Sequence, residues 1–314
     1  MNQIKIMSEK RLKRQLLKKK LFTKNKQSPV TEKMPATGDT PNLQVVVRSD
    51  LGNIRTNNED TGLFYRIADE KVIREKGCLL MVADGMGGHQ AGEVASRMAS
   101  EIIIREYFSP QKNGGIEKNL RRAFIVANTS IHQAAASNKE QQGMGTTCTA
   151  LVVTDPVIHF AHVGDSRAYL LKKGGLSRIT EDHTYVQELV RSGEITAAEA
   201  DTHPQRNILT NAMGTKADMK VDAGRYALLF ETGDRLMLCS DGLYDYLNDD
   251  EIAAFLGGHD LTEAAEQMIV TAKKRGGHDN ITVVLAQKKS GKEEVPARET
   301  RDFDLPVTKE LDLP

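Results

Sequence analysis

Two apolar runs in this chain end in the same way. CLLMVAD at residues 78–84 and RLMLCSD at 235–241 each break off in an aspartate followed by a glycine. An apolar run of this length with no polar alternation reads as a strand buried on both faces, so the fold must cover its sheet on two sides. A turn accounts for the glycine, because Asp-Gly is common turn chemistry and glycine accepts positive φ. The aspartate needs more, because a carboxylate at the end of a buried strand requires a partner.

The other elements follow from periodicity. LQVVVRS, TCTALVV, VIHFAHV, SRAYLL, LSRIT and NITVVLA read as further strands. Residues 92–107 place Val94, Met98 and Ile102 on one helical stripe, with Ala95, Ala99 and Ile103 beside it. Residues 116–136, 249–256 and 261–275 also read as helices, and 184–215 as mixed helix and loop. Strands adjacent in sequence, with helices in separate blocks, imply antiparallel pairing. The expected fold class is α+β, not a βαβ repeat.

Residues 1–27 carry ten Lys/Arg and one acid, Glu9. With the Ser/Thr/Pro-rich stretch after them they read as a disordered basic extension and linker over 1–40. A catalytic domain is expected over 41–288 and a polar tail over 289–314. The basic segment could dock on an acidic partner or an anionic membrane surface. Over the whole chain 43 basic residues balance 43 acidic ones, so nothing points to nucleic acid. Cys78, Cys148 and Cys239 lie far apart in apolar runs and read as buried hydrophobes, in keeping with a reducing, cytoplasmic compartment. No apolar run reaches the roughly 18 residues of a membrane span, and no apolar core follows the basic N-terminus as in a secretory signal.

Acidic residues recur at the edges of the apolar strands: Glu59 and Asp60 in NNED, Asp84, Asp165 in VGDSR, Asp241, and Asp279 in HDN. If the strands form a sandwich, these ends can converge. Converging carboxylates repel one another unless a cation sits among them. Oxygen donors without a Cys/His cluster suit Mg²⁺ or Mn²⁺, and two such ions would serve phosphoryl transfer to water. His159 and His162 alternate along a strand and read as packing or surface groups. His183 and His203 read as solvated loop histidines, with contact to substrate from the flap as the alternative, and Arg167 as an ion-pair partner.

The ordered set R-x-x-N-E-D, D-G-M-G-G-H, G-D-S-R, S-D-G and H-D-N closely resembles the metal-dependent serine/threonine protein phosphatases of the protein phosphatase 2C family, in their bacterial form. The resemblance covers about residues 43–287 and takes in Gly145-Thr146-Thr147 and HPQRNILTNAMG. It implies a β-sandwich of two antiparallel sheets flanked by helices. It implies two tight Mn²⁺ or Mg²⁺ ions, with Asp84 bridging them and the Gly85 carbonyl on the second. Asp241 and Asp279 would complete the first site, while Glu59 and Asp60 would hold the second ion and its waters. Asp165, with Asp241 and Asp245, resembles a third, weaker site, and Asn280 a supporting neighbour. Arg55 would grip the substrate phosphate, and residues 181–215 resemble a flap beside the active site.

The implied reaction is attack of a metal-bound hydroxide on phosphoserine or phosphothreonine, opposing cellular kinases. The implied clients are phosphorylated proteins, a cognate kinase among them, and the implied state is a monomer. Many eukaryotic relatives carry a histidine two residues after the bridging aspartate. Met86 stands there in this chain, which leaves water or His89 to protonate the leaving oxygen. Binding of phosphoproteins without turnover is the rival reading, and the intact Asp84, Asp241 and Asp279 argue against it. A client such as an anti-sigma-factor antagonist is compatible with the same chemistry.

Overall fold

The computed structural model describes residues 37–40, 42–87, 91–109, 114–173 and 175–290. These form twelve strands. They are β1 (Thr37–Thr40), β2 (Leu43–Asp50), β3 (Asp60–Tyr65), β4 (Cys78–Met86), β5 (Gly145–Thr146), β6 (Cys148–Thr154), β7 (Val157–Val163), β8 (Arg167–Lys172), β9 (Gly175–Arg178), β10 (Asp222–Arg225), β11 (Arg235–Cys239) and β12 (Ile281–Lys288). One sheet runs β1-β2-β12-β11-β8-β9. The other runs β10-β7-β6-β4-β3, with β5 attached to β4. Every pairing is antiparallel.

Residue alternation explains why the strands are apolar throughout. Leu79, Met81 and Ala83 of β4 point to one core, whereas Cys78, Leu80 and Val82 point to another. β12 does the same, with Ile281, Val283 and Leu285 on one side and Val284 and Ala286 on the other. The middle core lies between the sheets. The outer two are closed by helices: α2 (Ala91–Phe108) and α3 (Ile116–Ser137) on one sheet, α7 (Asp249–Gly258) and α8 (Leu261–Lys274) on the other. The result is the expected layered sandwich. All three cysteines are buried and free, and burial pushes the thiols of Cys78 and Cys239 up to about 11 and about 12. No described helix is long and apolar enough to cross a membrane.

Several elements escape the sequence pattern. The sheet begins at β1, inside the segment read as linker, because TGDT has no apolar alternation and is held by pairing with β2. Asp60 opens β3 rather than lying in a loop. α1 (Glu70–Lys76) buries no residue and so shows no apolar stripe; the Asp69 carboxylate caps it by accepting from the Lys71 and Val72 amides. The flap region holds two short helices, α4 (Tyr185–Ser192) and α5 (Ala197–Asp201), capped by Thr184 and Thr196. β11 stops at Cys239, and Asp241 opens a one-turn helix, α6 (Asp241–Tyr244).

Candidate active site

The carboxylates meet through strand register and backbone closeness. The β3–β4 pairing sets Asp60 directly opposite Asp84, a placement that repels when both are charged. The Ser240 hydroxyl donates to Asp60 Oδ2 at 2.7 Å while accepting from the Thr282 amide at 3.0 Å, which ties the two sheets together beneath the site. The Asp84 amide donates to Thr147 Oγ1 at 3.0 Å, and its carbonyl accepts from the Thr147 amide at 2.8 Å.

Gly85 lies where no side chain fits. A Cβ there would stand 2.2 Å from the Gly92 carbonyl oxygen and 2.5 Å from that of Glu59. At Gly242 a Cβ would stand 2.0 Å from the Asn280 carbonyl oxygen. The glycines after Asp84 and Asp241 thus let strands, helix and loops close on one another. Asn280 is buried. Its Oδ1 accepts from the Glu59 amide at 2.8 Å, and its Nδ2 donates to the carbonyls of Leu51 and Asn57 at 3.0 and 3.1 Å. It therefore fastens the loop that carries Arg55 and Glu59.

Asp84, Asp165, Asp241, Asp279, Glu59, Arg55 and Gly85 line one cleft of about 290 Å³. Met86, Thr147, Asn207 and Leu209 complete much of its wall, the last two from the flap region. Arg55 Nη2 bonds Asp279 Oδ2 at 2.6 Å. Burial, and then repulsion from Asp60, Asp241, Asp165 and Asp279, holds the Asp84 carboxyl well above the usual carboxylate range. Asp241 is raised well above that range by burial and by Asp165 and Asp279. Burial lifts Asp60 to about 6 against the lowering effect of its hydrogen bonds, and lifts Asp165 to about 7 with Asp182 adding to it. Asp241 Oδ1 is buried without a hydrogen-bond partner.

Of the described candidates, Asp60, Asn280 and Asp245 are not among the residues lining this cleft. Asp245 lies in a neighbouring groove of about 920 Å³ and bonds Arg206 at 3.1 Å. His89 lies outside the described residues, as do residues 1–36 and the tail from 291. Among the described residues, no three His, Cys, Asp or Glu side chains stand close enough to clasp an ion as placed. Arg55 occupies Asp279 and Ser240 occupies Asp60.

The flap histidine is not solvated. His183 is buried, and its Nε2 bonds Asp222 Oδ2 at 3.1 Å. His162 is buried between Thr149 and the Glu181 carbonyl, whereas His159 sits beside Glu117. Arg167 does act as an ion-pair partner: Nη2 and Nε reach Asp182 Oδ2 at 2.7 and 3.0 Å, and the guanidinium lies 3.6 Å from the Tyr244 ring centroid. Arg167→Ala strands a buried Asp182 with only Arg178 at 3.4 Å. Loss of a buried partner costs about 3 kcal/mol. Thermal unfolding should therefore shift down by about 6–12 °C, and a shift under about 2 °C would show that the pair contributes little. Sequence reasoning gave no role to Ser240, Thr147 or Asn207, although each lies in a stretch that carries the resemblance: S-D-G, Gly145-Thr146-Thr147 and HPQRNILTNAMG.

Two antiparallel sheets whose ends pool buried carboxylates beside an arginine define a class of site suited to divalent cations and a phosphate group. Comparison with known proteins narrows this class. The family model described as protein phosphatase 2C matches residues 68–287. A serine/threonine phosphatase from Listeria monocytogenes is 40% identical over 245 residues, covering 77% of this chain and 94% of that protein. The crystal structure of the Mycobacterium tuberculosis serine/threonine phosphatase PstP/Ppp superposes with a TM-score of 0.70 at 37% identity, covering 79% of this chain and all of the other (100%). Another structure, the PstP catalytic domain in complex with two manganese ions, superposes with a TM-score of 0.66 at 35% identity over 79% of this chain and 99% of that one. The chain belongs to the protein phosphatase 2C family, in its bacterial form, and is a protein-serine/threonine phosphatase.

Proposed function

We propose that the cleft binds Mn²⁺ or Mg²⁺ among Asp84, Asp241, Asp279, Asp60 and the Gly85 carbonyl, with Glu59 on ion-bound water and a weaker ion near Asp165. Asp245 and Arg206 border that weaker position. The observation that carries this reading is the buried, unpartnered Asp241 oxygen amid carboxylates that raise one another's pKa. Oxygen donors of this kind suit hard divalent cations, and an ion would relieve the repulsion. When bound, divalent ions supply Lewis-acid polarisation of a phosphoryl group and water activated near neutral pH.

The chain's own residues do the rest. Arg55, half-exposed at the cleft, exchanges Asp279 for the substrate phosphate, whose oxygens suit its planar donors. Thr147 and Asn280 hold Asp84 and the Arg55–Glu59 loop in place. Water attacks phosphorus opposite the leaving oxygen, and phosphate and a serine or threonine hydroxyl are released. Met86 lines the cleft without a proton to give, so the leaving oxygen takes its proton from water or from His89. The clients are phosphoproteins made by serine/threonine kinases, a cognate kinase among them.

Ions must displace protons from these carboxylates, so their binding depends on pH. With Asp60 at about 6 and Asp165 at about 7 in the ion-free protein, affinity should rise with pH through this window. Calorimetric titration with Mn²⁺ at pH 5.5 should give affinity at least about tenfold weaker than at pH 7.5. Equal affinity at both would remove the proton competition and the ligand assignment with it.

A further inference from the structure

His183 sits where the two ends of the flap region meet. The backbone there is zipped: Thr184 bridges Leu209, the Tyr185 amide donates to the Ile208 carbonyl at 2.8 Å, and the Thr210 amide donates to the His183 carbonyl at 2.9 Å. The side chain then joins this base to the body of the protein. The Gly164 amide donates to His183 Nδ1 at 3.1 Å, and the His183 amide donates to the Gly164 carbonyl at 2.7 Å. Asn211 Nδ2 lies 3.1 Å from the same Nδ1. With N–H donors on Nδ1, that nitrogen is the acceptor, and the ring proton is on Nε2, where it donates to Asp222 at 3.1 Å. His162 packs against this ring at 4.7 Å, and burial pushes its own pKa down to about 4, so it adds no charge to the stack at neutral pH.

Gly164 is the residue before Asp165. Its φ is +105°, and a Cβ there would stand 2.5 Å from Thr147 Cβ, so the turn is wedged against the threonine that bonds the Asp84 amide. Thr147 Oγ1 also lies 2.7 Å from Ser166 Oγ, on the other side of Asp165. A continuous chain of contacts therefore runs from the flap base through His183 to the Asp165 turn and on to Asp84. The flap end of this chain delivers Asn207 and Leu209 to the same cleft.

We propose that His183 is a positioning residue for the reaction: through its Nδ1 bond to the Gly164 amide it locks the flap base to the Asp165 turn, so that Asn207 and Asp165 face one cleft. This rests on the phosphatase reading above. His183 is not among the residues that line the cleft. What it controls is placement, and a misplacement of about 1 Å costs up to a hundredfold in rate.

The two ring nitrogens allow a directional test. In His183→Asn the side-chain oxygen falls near the Nδ1 position and still accepts from Gly164. In His183→Gln the amide reaches the Nε2 position and Asp222, but nothing accepts from Gly164. On a phosphothreonine peptide with saturating Mn²⁺, His183→Gln should lower kcat about tenfold with KM within about twofold, whereas His183→Asn stays within about threefold of wild type.

Amide exchange followed by NMR should show Gly164 protected in wild type and His183→Asn and unprotected in His183→Gln. The wild-type His183 ring should show the Nε2–H tautomer. A rate loss that follows melting temperature in both variants, or a Gln variant as active as the Asn variant, overturns the proposal. If His183→Gln fails to fold, a freely exchanging Gly164 amide or an Nδ1–H tautomer in the wild type overturns it equally. An inactive wild type with Gly164 protected would instead sink the phosphatase reading and leave the lock standing.

Discussion

Asp84→Asn should be both the least active and among the more stable of the single variants when no ion is present. Asp84 is held well above the usual carboxylate range by burial and by four neighbouring carboxylates. Asn keeps the shape and removes the charge. In chelator the variant sheds a desolvation and repulsion penalty on the order of 1–3 kcal/mol, so its melting temperature rises by a few degrees at pH 7.5. The gain should shrink toward pH 4. A carboxyl whose folded pKa is raised stabilises the fold while protonated and loses that contribution as pH rises, so little penalty remains to remove in acid. With Mn²⁺ supplied, kcat on a phosphopeptide should fall at least about a hundredfold, because activation of water by metal supplies several kcal/mol of barrier lowering. A variant that is destabilised in chelator, or that turns over at the wild-type rate, contradicts the placement of Asp84 at the centre of the site.

Gly85→Ala should be among the most damaging changes of a single methyl group. The added carbon would meet the Gly92 carbonyl oxygen at 2.2 Å and the Glu59 carbonyl oxygen at 2.5 Å, both backbone atoms that cannot rotate away. Strand β4, helix α2 and the Glu59 loop would have to part. Ordinary overpacking costs about 1–3 kcal/mol, and a clash with backbone on two sides belongs at or above the top of that range. Activity should fall at least tenfold at temperatures where the variant stays folded, because Glu59 moves with the loop, an effect of the roughly 1 Å misplacement kind. Gly257→Ala is the control. It lies in helix α7 with nothing within 4 Å of the added carbon, and should stabilise by up to about 1 kcal/mol through helix propensity. Equal melting temperatures for the two variants would mean that the β4–α2 contact is slack.

The same residues show what the sequence could reveal. Continuous apolar runs marked β4, β11 and β12 because each is covered on both faces, and that need is written into every position of the strand. β1, β5 and β10 are short edge or attached pieces. β1 pairs with the adjacent β2 but TGDT has no apolar alternation, while β5 and β10 pair with β4 and β7 far off in the chain, so local pattern carried no trace of them. Glu59, Asp84, Asp165, Asp241 and Asp279 were legible as strand-edge acids, and they share one cleft. The opposition of Asp60 to Asp84 depends on register. Asp245 was grouped with Asp165; its charge adds to burial in raising the carboxyls of Asp165 and Asp241, while it also bonds Arg206 in the adjoining groove, a pairing decided by where the flap region lies. His183 looked like a loop residue and is a buried link, because the loop it starts is zipped to Ile208–Thr210 and pinned to Gly164.

Phosphate release from a phosphothreonine peptide, followed in metal-chelated buffer and after Mn²⁺ is added back, tests the central claim most directly. The wild-type chain should be inactive in chelator and should recover on Mn²⁺ addition, with recovery weakening as pH falls from 7.5 toward 5.5; Asp84→Asn and Asp241→Asn should not recover. Turnover that persists in chelator, or that returns equally in Asp84→Asn, would contradict a site built on these carboxylates.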